Sequence, residues 1–323
     1  MKMWFFFVGV ILLLMASCGQ SNSYTSAEPV GIIRFDKALF RLVETYDSTL
    51  QQSIAREYPE ILDVIGKAFL NVRPADSTYF DRLVNYYSEP NLHQLYSDGI
   101  RKFDSIPDLE RQLGAGFAYF KDLAHIPRIY FHVSGLNQNI LVDNDLLSLS
   151  IDKYMGSDYP LYQEYFYDFQ TIRMVPERIV PDLLAGWLMS EFPFDGRENV
   201  LLDRMIYDGK VKYLLSKALP NQPLALFFGY DDVAMKWWKN HESTVWMVMV
   251  EQKHLYTPDR MQTLKYLDEH PAHFLSDEAP GNLGHWIGYR IVEAYMKRTK
   301  STPQQLLENT DYQSILTESR YKP

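Results

Sequence analysis

The chain has 323 residues, 46% of them hydrophobic and 15% aromatic, enough to bury a large core, which excludes a disordered chain. A formal net charge of -9 with no run of basic residues excludes a general nucleic-acid binder. With Cys18 as its one cysteine, the chain forms no internal disulfide.

Lys2 precedes an apolar run from Met3 to Met15, well short of the roughly 20 residues a membrane-spanning helix needs, so residues 1–17 read as a signal peptide. Met15-Ala16-Ser17-Cys18 resembles the lipobox of bacterial lipoproteins, with Met15 where Leu is usual. That resemblance implies acylation of Cys18 and a membrane tether, since burial is worth about 0.8 kcal/mol per CH₂. Gly19, in place of Asp, resembles the signal for sorting to the outer membrane, and the lack of an acidic cluster in residues 20–27 favours the periplasmic side. Residues 18–30 are polar and read as the lipidated N-terminus and a flexible tether.

Residues 31–323 are expected to form one globular domain. Ile32 to Asp36 predicts a short strand. Phe40 to Ala68 carries helical spacing through Leu42, Tyr46, Leu50, Ile54, Tyr58 and Ile61, which Pro59 must split or kink. Residues 78–125 read as two or three helices separated by Ser88-Glu89-Pro90 and Ile106-Pro107. Beyond Pro127, Arg128 to Val133, Ile140 to Val142 and Leu146 to Ile151 predict strands, with turns at Gly135 to Asn139 and at Asn144-Asp145. They are expected to form a small antiparallel sheet.

Ile179, Val180, Leu183, Leu184, Trp187 and Leu188 then mark the buried face of a helix. After the turn at Phe192 to Gly196, Asn199 is expected to cap a second helix, Val200 to Leu215. Asp231 to Gln252 predicts a long helix whose tryptophans read as core. In Ala279 to Gly288 the glycines allow close backbone approach at the head of a helix, Trp286 to Met296. Thr302-Pro303 is expected to cap the last one. The fold class is α+β, mostly helical.

Strands followed by two facing helices is also the order of a zincin-type protease core. Such a core needs His-Glu-x-x-His, because ligands four residues apart stand one above the other on a helix. Here the frame reads Pro181-Asp182-Leu183-Leu184-Ala185. Pro181 and Ala185 offer no lone pair, Asp182 alone keeps chemical capacity, and Asp208 stands where a third, carboxylate ligand would be. The four positions read as a degenerate metal site, with no metal and no cofactor expected. Arg178, Tyr207, His285, Trp286 and Tyr289 are expected around the cleft. Asp182 and Asp208 read either as a carboxylate pair across that cleft or as acids satisfied locally, Asp182 by the helix dipole and Asp208 by Arg204 or Lys212. The local reading is preferred. His241-Glu242-Ser243-Thr244-Val245 misses the zinc motif by its last residue, and no nucleophile elbow is present.

Arg34 to Phe40, Ser134-Gly135-Leu136-Asn137, Met205 to Lys210 and the closing Ser319 to Pro323 look like the gliding-motility lipoprotein GldB family of Bacteroidetes, over nearly the whole mature chain. That family distantly resembles zincins whose second helix carries a Glu-Gly pair, which here is Asp208-Gly209. The resemblance implies a non-catalytic outer-membrane lipoprotein that binds envelope proteins of the gliding or secretion machinery. Two alternatives from other classes stand beside it. One is a zinc peptidase drawing ligands from His241 or His285 with Asp208. The other is a binding protein for an envelope glycan or peptide, suggested by Tyr159, Tyr162, Tyr165, Phe166 and Tyr167.

Overall fold

A computed structural model describes residues 27–323. The signal peptide, Cys18 and the tether up to residue 26 lie outside the described residues. Ile32–Ile33 forms strand β1, and the chain then builds six helices: α1 (Phe35–Thr45), α2 (Ser48–Glu57), α3 (Pro59–Ile65), α4 (Tyr79–Tyr87), α5 (Pro90–Lys102) and α6 (Pro107–Tyr119). Their starts follow local chemistry. Pro59, Pro90 and Pro107 open their helices, where a missing N–H costs nothing. The Asp47 carboxylate accepts from the Thr49 and Leu50 amides, and Glu89 from that of Leu92. Pro59 splits the long helical pattern as expected, but the stretch also breaks at Tyr46-Asp47 and passes into a π-helical turn at Gly66–Leu70, and α1 begins within what the sequence suggested was strand.

Strands β2 (Arg128–His132), β3 (Ile140–Asp143) and β4 (Leu146–Ser150) join β1 in a sheet of order β1-β2-β4-β3. The expected antiparallel sheet is corrected here to a mixed one. β1 and β4 both run parallel to β2, and only the β3–β4 hairpin is antiparallel. β2 and β3, consecutive in sequence, are not neighbours in the sheet. The loop after β2 carries the chain to the far edge, so that β4, turning back at Asn144 with φ of 40°, drops in between. β4 is buried at all five positions.

The remaining helices are α7 (Pro160–Tyr165), α8 (Asp168–Thr171), α9 (Ile179–Glu191), α10 (Leu201–Ala218), α11 (Leu224–Phe228), α12 (Asp232–Glu251), α13 (Arg260–Leu267), α14 (Leu283–Thr299), α15 (Pro303–Glu308) and α16 (Tyr312–Ser319). α9 rests on the sheet at Ile140 and Leu147, a contact that Gly186 keeps close. Asn199 does not cap α10. Val200 holds that position, while Asp203 accepts from the Arg197 amide at 3.0 Å and from its guanidinium at 2.8 Å. Thr302 caps α15 through a reciprocal box with Gln305, and one more helix follows.

The buried apolar side chains form a single continuous core. The end of the chain is built into it. Glu242 on α12 accepts from Trp286 Nε1 (2.9 Å), Arg290 Nε (3.0 Å) and the Tyr321 hydroxyl (2.8 Å), and the Tyr321 ring meets Trp246 edge-on at 5.2 Å. No helix among the described residues is long and apolar enough to cross a membrane.

Candidate functional site

The site forms where α9, α10 and α14 converge. Glycines set the distance between α10 and α14. A Cβ on Gly209 would lie 2.3 Å from the Gly288 carbonyl carbon, and one on Gly288 would lie 1.7 Å from the Met205 oxygen. Backbone therefore packs on backbone, which brings the side chains beside the crossing together.

A short 3₁₀ turn, Pro176–Arg178, leads into α9, with Asp182 in the first turn, where the helix dipole favours negative charge. Its carboxylate is fully engaged. Arg178 donates from Nη2 to Oδ1 at 2.6 Å and from Nε to Oδ2 at 3.3 Å, and the Tyr154 hydroxyl donates to Oδ2 at 2.9 Å. Arg178 also donates to the Leu226 carbonyl at 2.8 Å. Beside it Arg173 reaches Glu269 at 3.1 Å and the Phe228 carbonyl at 3.1 Å.

Asp208, expected to pair with Arg204 or Lys212, instead approaches His285 Nε2 on α14 at 3.3 Å. Burial pushes its carboxyl up to about 6, against the pull of Arg204 and Lys212. The Lys212 ammonium is pushed down to about 8, first by burial and then by Arg178, while Asp182 and Asp208 act in the opposite sense. Burial, Lys212, Arg173 and Arg204 hold the His285 imidazole well below its usual value, so it is neutral at pH 7.

The other expected cleft residues divide. Trp286 and Tyr289 belong to an aromatic wall around Phe228, with ring centroids 5.2 and 5.5 Å from it. Tyr207 points elsewhere, donating to the Phe192 carbonyl at 2.9 Å and packing on Phe194. Pro181 is buried and Ala185 half-buried, and neither brings a polar side-chain atom. His241 stacks on Trp237 at 4.4 Å and its Nδ1 pairs with the Trp237 carbonyl. Arg173, Tyr154 and Glu269 belong to the cluster and were not foreseen. Arg178, His285 and Lys212, each singled out in the sequence, do meet there.

These donors do not fit a zinc ion. Two of the zincin positions have no lone pair, Asp182 is committed to Arg178 and Tyr154, and three cationic side chains crowd the remaining carboxylates. Among the described residues no group of three or more His, Cys, Asp or Glu side chains could hold a metal.

Residues 19–323 match the family described as gliding motility protein GldB. The chain belongs to the GldB family. Curated proteins and solved structures offer no match. Several of the GldB-like stretches have visible structural work. Arg34 clamps the buried Asp36 carboxylate through bonds of 2.9 and 2.6 Å, the Asp208-Gly209 pair makes the helix crossing, and Tyr321 anchors the tail.

Proposed function

We propose that this GldB-family protein is a lipid-anchored, non-catalytic envelope protein with a degenerate zincin-like framework, acting through protein partners. Its divisions are a signal peptide (residues 1–17), a lipidated tether (18–30) and the globular domain (31–323). The observation that carries the reading is the replacement of a metal-holding constellation by a self-neutralising charge cluster, with Asp182 spent on Arg178 and Asp208 beside Lys212 and His285. Hydrolysis at such a centre would need an activated water and a Lewis acid or base, and each candidate acid already has a partner. The family's link to gliding motility supports envelope proteins as the partners, and the match beginning at Gly19 supports Cys18 as the first residue of the mature chain. Gly19 in place of Asp supports anchoring at the outer membrane, and the lack of an acidic cluster in residues 20–27 supports a periplasmic face.

Crosslinking in intact cells tests the reading. Wild type is expected to capture the same envelope proteins in repeated experiments, and Cys18→Ser to lose both membrane fractionation and most of those adducts. Peptidase activity of the pure protein that a chelator abolishes and zinc restores would overturn it.

A further inference from the structure

Away from the charge cluster, a cavity of about 610 Å³ opens between the end of α4, the start of α5, the loop after β2 and α7. That volume is within the roughly 300–1,000 Å³ of small-ligand sites, and its lining is similarly apolar with a few polar groups. Leu92, Leu136, Tyr86 and Phe166 supply the apolar wall, and Asn85 and Asn91 the amides. Tyr165 stands at the mouth, 62% exposed. Two residues on, outside the lining, Tyr167 is 69% exposed and lies nearly parallel to Phe169 at 5.6 Å.

The loop in this wall is held in an unfavourable shape by dedicated contacts. Leu136 has φ of 63°, a left-handed conformation that a branched side chain avoids. The buried Asp152 carboxylate accepts from the Ser134 amide at 3.0 Å and the Leu136 amide at 2.6 Å, and Lys153 donates to the Leu136 carbonyl at 3.1 Å. Tyr86 and Asn137 both donate to the Ser134 carbonyl, at 2.9 and 2.8 Å. Strain maintained by so many contacts is characteristic of functional loops.

The chemistry of the lining narrows the ligand. None of the lining residues is Lys or Arg, and the adjoining Lys153 ammonium is engaged by the Leu136 carbonyl and by the Phe166 ring, 4.8 Å from its centroid, so an anion finds no free counter-charge. Glu89 caps the Leu92 amide through Oε2 at 2.9 Å and offers its other oxygen as an acceptor. A peptide strand would need free main-chain groups, yet the carbonyls of Ser134, Gly135 and Leu136 already accept from side chains. What remains is flat aromatic surface, two side-chain amides and one carboxylate oxygen of Glu89. That combination suits a ring with an apolar C–H face and a rim of hydroxyl or amide groups. We propose that this cavity binds a neutral saccharide, with one ring against Tyr165 and Phe166 and with Asn85 and Asn91 reading its hydroxyls. The site is separate from the charge cluster and independent of the partner-binding reading.

Calorimetric titration of the purified chain with chitotetraose, cellotetraose and maltotetraose, and with tetra-alanine as the neutral peptide, tests the proposal. At least one tetrasaccharide should bind saturably. Tyr165→Ala and Asn91→Ala should each weaken that binding by about tenfold while leaving the unfolding midpoint in place. The proposal is overturned if no tetrasaccharide binds at millimolar concentration, if binding survives both substitutions, or if only tetra-alanine binds.

Discussion

Asp182 and Asp208 are aspartates on facing helices with opposite circumstances. Asp182 has both oxygens engaged by Arg178 and Tyr154, in a pair whose side chains are only 17% and 11% exposed. Removing one member of such a pair leaves a partly buried charge uncompensated. Arg178→Ala is therefore expected to destabilise the fold by about 3 kcal/mol, read by urea unfolding at pH 7, and a change of less than about 1 kcal/mol would contradict the assignment. Arg178→Lys should recover little, because an ammonium cannot make the two-pronged contact. Asp208 faces a neutral imidazole, and its folded value is raised from 3.8 to about 6. A raised carboxyl contributes stability that is complete below 3.8 and is lost as pH rises through about 6. Unfolding measured across this range should show Asp208→Asn gaining stability relative to wild type as pH rises, then holding that difference near neutrality. A difference independent of pH would count against the buried, raised carboxyl.

At the scale of elements, the α10–α14 crossing positions everything in the site. Gly209→Ala and Gly288→Ala each force two backbones apart, and each is expected to cost about 3 kcal/mol or more, measured as a lowered unfolding midpoint. Ala at Gly31, where an added Cβ meets nothing within 4 Å, is the control and should cost far less. The close backbone approach at the Ala279 to Gly288 glycines was legible in the sequence, but its partner, Gly209 on α10, was not. Nor were other features. Val200, not Asn199, holds the N-cap of α10, which has no side-chain cap, and Asp203 in its first turn holds Arg197 of the preceding loop instead. The direction of the strands depended on where the loop of residues 133–139 carried the chain, which alternation cannot reveal. Asp182 and its neighbour Arg178 share one helical face and could be paired by spacing. Arg173, Tyr154 and Glu269 reach the cluster from three separate stretches, and only the closed fold brings them there.

Across the whole molecule, helices dominate and the mixed sheet supports α9, so the α+β class read from pattern alone describes the protein well. Its least expected tie is at the chain end, where Tyr321, two residues from the terminus, shares the Glu242 carboxylate with Trp286 and Arg290. Deleting residues 321–323 should loosen α12 from α14 and cost about 2 kcal/mol, seen as faster proteolysis within α12 before the rest of the fold opens. An unchanged cleavage pattern would show the tail to be dispensable. Glu242 and Tyr321 stand 79 residues apart in the sequence, so their bond ties off a loop that holds α13, α14, α15 and α16. A pull on the tail is thereby carried straight to α12 instead of being taken up helix by helix along the chain between them.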